Sequence, residues 1–204
     1  MTSTAATSTN RPEIDDSVEA RILDAALIQF EKVGVKKTTI EDIARQADVD
    51  RVTVYRRIGS RDDVVRAVMT REVELVLAEL DAISARNNDV HALVADIFVT
   101  VITRWRTHPL ANRMLSLEPE RVLPQLTTDG GPVFTMSVAA TVAALRSAVR
   151  NGLLPDFADL DTRAEIVCRI VHSFILQPHG TVTLESEDAL AAFARTYLVP
   201  IITG

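Results

Sequence analysis

Lys37-Thr38-Thr39-Ile40-Glu41-Asp42-Ile43-Ala44-Arg45-Gln46-Ala47-Asp48-Val49-Asp50-Arg51-Val52-Thr53-Val54-Tyr55-Arg56-Arg57-Ile58 decides the reading of this chain. Thr38 followed three residues later by Glu41 is a capping-box signature. Ile40, Ile43, Ala44 and Ala47 then fall at helical spacing, for a helix of about two turns. Asp48-Val49 reads as the turn. Asp50 caps a second short helix, Arg51 to Arg57, with Val49, Val54 and Ile58 on its buried side. Two short helices around a tight turn match a helix-turn-helix. The second helix leaves Arg51, Thr53, Tyr55 and Arg56 on its other sides. Such a helix sets its N-terminal residues against base edges in the major groove. Arginine reads guanine bidentately and threonine takes a base edge or a thymine methyl. Tyrosine hydroxyls and further arginines hold phosphates and fix register. Any small helical hairpin shares the spacing; the basic residues on its exposed side are what point to DNA.

Outward from this stretch the periodicity is helical throughout. Upstream, Ser17 caps a helix to Lys32, and Gly34 ends it. Residues 1–16, Ser/Thr/Ala-rich at first, read as a flexible tail. Downstream, Ser60 with Asp63 opens a long helix from Arg61 to about Ala85, with a stripe from Val64 through Val68, Val73, Leu77 and Leu80 to Ile83. Further helices are expected over Val90–Thr107, up to Leu117, after Pro119, over Pro132–Arg150, Thr162–Gln177 and Ser186–Val199, with Pro200 beyond the last. Thr181-Val182-Thr183-Leu184 is the one short strand candidate, and a connecting loop suits it better. The fold class is all-α with about nine helices. The expected division is a tail at 1–16, a helix-turn-helix domain at 17–60 and a larger helical domain at 61–204.

Composition narrows the function classes. The chain has 204 residues, 47 % of them apolar, which is enough for a buried core. No apolar run reaches about 18 residues, so no membrane span is expected. A single cysteine, Cys168, points to a reducing cytoplasm. The net charge of −6 argues against coating nucleic acid indiscriminately. That average hides an asymmetry: Lys32 to Arg61 holds eight basic residues against four acidic ones, a local +4, leaving −10 for the rest. A compact basic segment on an acidic body suggests a polyanion-binding module, although a solvated charged face has the same composition. Phosphate-cradling glycine loops, HExxH and Gly-x-Ser-x-Gly are absent from the sequence. His91, His108, His172 and His179 lack metal-ligand spacing. No enzyme activity, metal or cofactor is expected.

Ile22-Leu23-Asp24-Ala25-Ala26, Phe30, Gly34, Thr38-Thr39-Ile40, Asp42-Ile43-Ala44, Ala47, Val49, Thr53-Val54-Tyr55, Ser60 and Val64 together resemble the N-terminal domain of the TetR family of transcriptional repressors. The resemblance spans residues 18–69. Asp48 stands where that family usually has the turn glycine, and Asp tolerates a left-handed backbone better than most residues. Asp50 replaces a common serine, and Ile58 a common phenylalanine. The resemblance implies a homodimer on a palindromic operator in double-stranded DNA, and a C-terminal domain whose small-molecule effector releases it. It places Arg51, Val52 and Thr53 at base-reading positions, Tyr55 at a phosphate contact, and Thr39 and Arg61 at further phosphate positions. Arg61 replaces the usual lysine there, and Arg56 and Arg57 are added candidates beyond the pattern.

The same resemblance puts a pocket among the later helices. Phe98, Ile102, Trp105, His108, Met114, Phe134, Cys168 and His172 are the candidate ligand residues, with plain core as the competing reading of each. It puts the dimer contact on the last two long helices, whose apolar faces carry Ile166, Ile170, Phe174, Ala189, Phe193 and Tyr197. Two further functions use the same residues: a transcriptional activator, and a small-molecule binding protein whose DNA binding is weak or lost. The acids Asp48 and Asp50 favour the last.

Overall fold

Ser17 caps α1 (Val18–Val33), its hydroxyl accepting the Ala20 N–H at 3.1 Å. Gly34 ends the helix at φ 87°, where its N–H closes on the Phe30 carbonyl. A Cβ there would stand 3.1 Å from Leu117 Cδ1 and 3.2 Å from Glu118 Oε1, so both backbone and space call for glycine. Two seven-residue helices follow, α2 (Ile40–Gln46) and α3 (Arg51–Arg57). The 26-residue α4 (Arg61–Arg86) opens on a reciprocal Ser60–Asp63 capping box. The chain continues through α5 (Val90–Thr107), α6 (Pro109–Leu117), α7 (Pro119–Leu126), α8 (Gly131–Arg150) and α9 (Leu160–Leu176). It closes with α10 (Glu187–Phe193), a π-helical turn at Ala194–Leu198 and α11 (Val199–Thr203). This computed structural model describes residues 17–128 and 131–204. The tail expected at 1–16 lies outside the described residues, as do residues 129 and 130.

The architecture is all-α, with no strand among the described residues. Thr181 to Leu184 is a loop, tied down where Arg106 Nη1 donates to the Leu184 carbonyl at 2.5 Å. The last helical stretch does not end at Pro200. The π-helical turn loosens the ladder ahead of it, and Pro200 falls in the first turn of α11, where no N–H is needed. Arg163 fastens this end: its guanidinium lies 4.2 Å over the Phe157 ring and donates to the Ile201 and Ile202 carbonyls.

Two buried clusters organise the molecule. The first joins Ile22, Ala26 and Phe30 of α1 to Ile43 of α2, Val54 of α3, and Val64 and Val68 of α4. Leu110 and Met114 of α6 complete it, more than forty residues downstream. The second gathers Leu93, Phe98 and Ile102 of α5 with residues of α8, α9 and the C-terminal stretch. Helix α4 belongs to both, through Val64 and Val68 at one end and Ile83 at the other. Its expected stripe is therefore fully buried only at the ends. Val73, Val76, Leu77 and Leu80 between them are half-buried, because the middle of α4 bridges the two cores.

Helix α8 runs along α9 and touches α4. Residues 133–150 have a mean hydropathy of 1.2, which makes this helix long and apolar enough by composition to cross a membrane. Thr135, Ser137, Thr141 and Ser147 interrupt the stretch, so it is not an unbroken apolar run. Two of those hydroxyls turn back on the helix: Ser137 donates to the Val133 carbonyl at 3.0 Å, and Thr141 to that of Ser137 at 2.9 Å.

The membership of α6 in the first cluster can be tested. Leu110, 1 % exposed, should cost roughly 2–5 kcal/mol when cut to alanine. The same cut at Leu75, 57 % exposed on α4, should stay within about 0.5 kcal/mol. Urea unfolding followed by circular dichroism measures both; equal effects would remove α6 from that core.

Candidate nucleic-acid interface

The start of α2 is one residue later than the sequence signature places it. Thr38 is buried, and its hydroxyl donates to the Gly34 carbonyl at 2.8 Å. That bond closes the α1–α2 loop and removes Thr38 from capping. Thr39 is the cap instead. Its hydroxyl accepts the Asp42 N–H at 3.1 Å, and Asp42 Oδ2 takes the Thr39 N–H at 3.1 Å. The Thr39 hydroxyl also donates to Asp42 Oδ2 at 2.6 Å, and this bond with that of the Thr39 amide holds the Asp42 carboxyl below its ordinary range.

The turn after α2 has the backbone expected of it. Asp48 sits at φ 53°, the one positive φ among the described non-glycine residues. Arg21 of α1 reaches across and donates to the Ala47 carbonyl at 2.7 Å and the Asp48 carbonyl at 3.3 Å. It satisfies the end of α2 and pins the turn. Nothing in the local pattern singles Arg21 out, because its partner carbonyls are 26 and 27 residues away. Asp50 then caps α3, its Oδ1 accepting the Thr53 N–H at 2.6 Å. That amide bond holds the Asp50 carboxyl below its usual range.

Helix α3 buries one residue, Val54, and turns the rest outward. Val52 is 71 % exposed and Tyr55 44 %, while Arg51, Arg56 and Arg57 are all exposed. Thr53 is half-buried. The Arg51 guanidinium lies 5.4 Å over the Tyr55 ring and 3.4 Å from Glu41 Oε1 of α2. Arg51, Val52, Tyr55 and Arg56 thus form one open surface, apolar at Val52 and cationic around it. Arg61 differs from them. Its Nε donates to the Thr38 carbonyl at 2.8 Å and its Nη2 to the Val35 carbonyl.

Known proteins share this arrangement. The family model described as bacterial regulatory proteins, tetR family, matches residues 22–68. An uncharacterized HTH-type transcriptional regulator of Mycobacterium bovis is 33 % identical over 135 residues, 65 % of this chain and 69 % of that protein. The chain belongs to the tetR family of bacterial regulatory proteins. Among solved structures, the TetR family repressor AlkX of Dietzia sp., implicated in biodegradation of n-alkanes, superposes with a TM-score of 0.64. It is 21 % identical and covers 92 % of this chain and 96 % of its own. The TetR family repressor QsdR of R. erythropolis gives a TM-score of 0.61 at 21 % identity, over 92 % and 95 %. Both are similar in fold. Members of the tetR family are transcriptional regulators that bind DNA through their helix-turn-helix, which here is α2 and α3.

The other candidates of this tetR-family chain fall into separate places. Phe98 and Ile102 are buried in the second cluster and Trp105 is half-buried near the end of α5. Phe134 and His172 meet edge-to-face, with ring centroids 5.7 Å apart. Cys168 is buried beside the Thr141 hydroxyl at 3.3 Å, and burial pushes its thiol up, away from the reactive thiolate. His108 stands at the α5–α6 corner. Its Nδ1 accepts the Ala111 N–H and its Nε2 lies 2.9 Å from Glu72 Oε2, a bond that lowers the Glu72 carboxyl. Met114 is apart from all of these, in the first cluster with Phe30.

Two open depressions, of about 490 and 440 Å³, lie elsewhere. One is at the α8–α9 corner around Arg146 and Asp159, and the other is between α4, α5 and α10 around Glu79 and Asp188. None of the ligand candidates lines either. On the last helices, Ile166 and Tyr197 are 43 % and 59 % exposed, while Ile170, Phe174, Ala189 and Phe193 are half-buried. Phe98, Phe174, Phe193 and Tyr197 form a continuous ladder of rings from core to surface, with neighbouring centroids 5.0–6.1 Å apart.

Four helix-capping carboxylates of the N-terminal half, Asp42, Asp50, Asp63 and Asp89, are all depressed by the bonds they accept. Each stabilises the fold above its unfolded value of about 3.9 and loses that contribution as pH falls through its folded value. The melting temperature should therefore drop between pH 5 and 3. Asp42→Asn with Asp63→Asn should flatten that slope. A slope unchanged in the double variant would show that these caps do not govern acid stability.

Proposed function

We propose that this chain is a transcriptional repressor that binds a palindromic operator as a homodimer and is released by a small, largely apolar ligand. The observation that carries the reading is the outer face of α3. A helix anchored by Val54 alone turns Arg51, Val52, Tyr55 and Arg56 outward toward a groove, with Arg51 held only by an exposed contact to Glu41 and the Tyr55 ring. Arg51 suits a guanine edge, and Val52 and Thr53 suit a thymine methyl. Tyr55 and Arg56 suit phosphate, as does the exposed Thr39. The division of labour follows the sequence reading: residues 17–60 read DNA, and residues 61–204 dimerise and bind the effector.

A dimer built on α9 and the C-terminal helices would cover Ile166 and Tyr197, the exposed ends of an apolar face continuous with Phe174 and Phe193. Such a pairing must hold the two α3 helices about 34–36 Å apart, one turn of DNA, to reach successive major grooves. An effector lodged among Phe98, Ile102, Trp105, Phe134 and His172 would lower operator affinity by favouring a different spacing. These side chains are apolar or aromatic, and the implication of AlkX in n-alkane biodegradation agrees with an apolar ligand. His108 is already engaged with Glu72, so it serves the α5–α6 corner unless an effector displaces that bond. Met114 belongs to the core in this reading.

Selection of fragmented source-genome DNA on the purified protein, at two salt concentrations, tests the proposal. A palindromic site that persists at the higher salt is the expected result. Tyr55→Phe should then weaken all sites alike, and Arg51→Ala should relax the preference at one base pair, worth about 1–3 kcal/mol of discrimination. Weak, sequence-blind binding erased by salt would leave the small-molecule binding protein as the better reading.

A further inference from the structure

We propose that Arg61, the first residue of α4, is a positioning residue for DNA binding: it sets α2 through the α1–α2 loop and does not itself hold a phosphate. The inference rests on the DNA-binding reading above. A basic residue at the start of a helix beside the recognition surface would ordinarily be assigned to phosphate. The geometry assigns it elsewhere. The side chain is 29 % exposed, and two of its three nitrogens are spent on backbone carbonyls, Nε on Thr38 and Nη2 on Val35. The third, Nη1, lies 3.8 Å from Asp62 Oδ1.

Those two carbonyls bracket the loop between α1 and α2. The opposite side of the same loop is held as well. Glu118, 3 % exposed after α6, accepts the Lys36 N–H at 2.6 Å, and the Thr38 hydroxyl closes on Gly34. The next residue, Thr39, caps α2 and is exposed. A planar guanidinium presents Nε and Nη2 to the two carbonyls as a fixed fork, whereas an ammonium donates from one atom on a flexible stem and holds the pair less rigidly. Arg61 thus couples the first turn of α4 to the register of α2, and α2 in turn packs against α3.

The test uses the full-length protein, with Arg61→Lys, Arg61→Met, Thr39→Ala and the Arg61→Met/Thr39→Ala double variant. Binding to the selected operator, and to an unrelated duplex of equal length, is read by fluorescence anisotropy at four salt concentrations. Thermal melts set an assay temperature at which every variant is folded. Arg61→Lys and Arg61→Met should each weaken operator binding about tenfold, with the salt slope of the wild type. In the Thr39→Ala background, Arg61→Met should cost less than about threefold, because both act through one element.

A direct phosphate contact would behave otherwise. Arg61→Met would then reduce the slope by about 1.8 per dimer, and Arg61→Lys would keep wild-type affinity. Either result overturns the proposal, as does unchanged affinity in folded Arg61→Met. If no operator is found, the DNA-recognition reading fails separately. The unrelated duplex still decides this point: weaker binding at an unchanged slope upholds positioning, and a reduced slope or unchanged affinity overturns it.

Discussion

Helices of seven residues do not hold together in water, because helix nucleation is costly and so few backbone bonds follow it. Both α2 and α3 are of this length, so their shape is imposed by what they bury. For α3 that is Val54 alone, fully buried against a cluster built on Ile22, Phe30 and Ile43. One buried branched side chain frees the rest of the helix surface, which is the condition for a helix that must lie in a groove. The same economy leaves α3 dependent on its neighbours for orientation.

Those neighbours act mainly through backbone groups. A buried or half-buried carbonyl without a partner is expensive, so each exposed end of a short helix needs a donor. Here the donors are arginines from other elements. Arg21 of α1 closes the end of α2, Arg61 of α4 holds the α1–α2 loop, and Arg113 of α6 donates to the Lys32 carbonyl at the end of α1. Arg71 of α4 adds an ion pair to Asp24 at 2.8 Å. The basic residues of the N-terminal half thus divide into two sets. Arg51, Arg56 and Arg57 point away from the fold, whereas Arg21 and Arg61 spend their guanidinium groups on backbone carbonyls of neighbouring segments. Net charge along the chain does not separate these sets; geometry does.

Local rules made much of this legible in advance. The Ser17, Asp50 and Ser60 caps, the Gly34 stop and the left-handed Asp48 stand where side-chain chemistry places them, because each depends on atoms within four residues. The membership of the family was likewise written in short-range pattern over residues 22–68. What escaped was otherwise set by distance, with Thr38 the local exception: two acceptable caps stand side by side, and the Gly34 carbonyl four residues back claims the Thr38 hydroxyl, leaving Thr39 to cap α2. Met114 reads as a pocket residue until α6 folds back onto α1, a contact that no periodicity on α6 reveals. Glu118 bonds an amide 82 residues away, and nothing beside it in sequence announces that. The stripe on α4 misled for a related reason: periodicity reports which face is apolar, not how completely a neighbour covers it.

The return of α6 to the first cluster has a consequence for how such proteins are rearranged. Leu110 and Met114 fill a core whose other walls are α1, α2, α3 and the start of α4. The part that would read DNA is therefore not a cassette. Excised after its third helix, it would lose Val64, Val68, Leu110 and Met114 together and expose an unfilled apolar wall. Grafted onto a foreign body, it would need that body to supply two side chains at the same depth. Recombination between relatives should accordingly succeed where α6 travels with the first three helices, and drift along α6 is constrained by the core that Leu110 and Met114 complete.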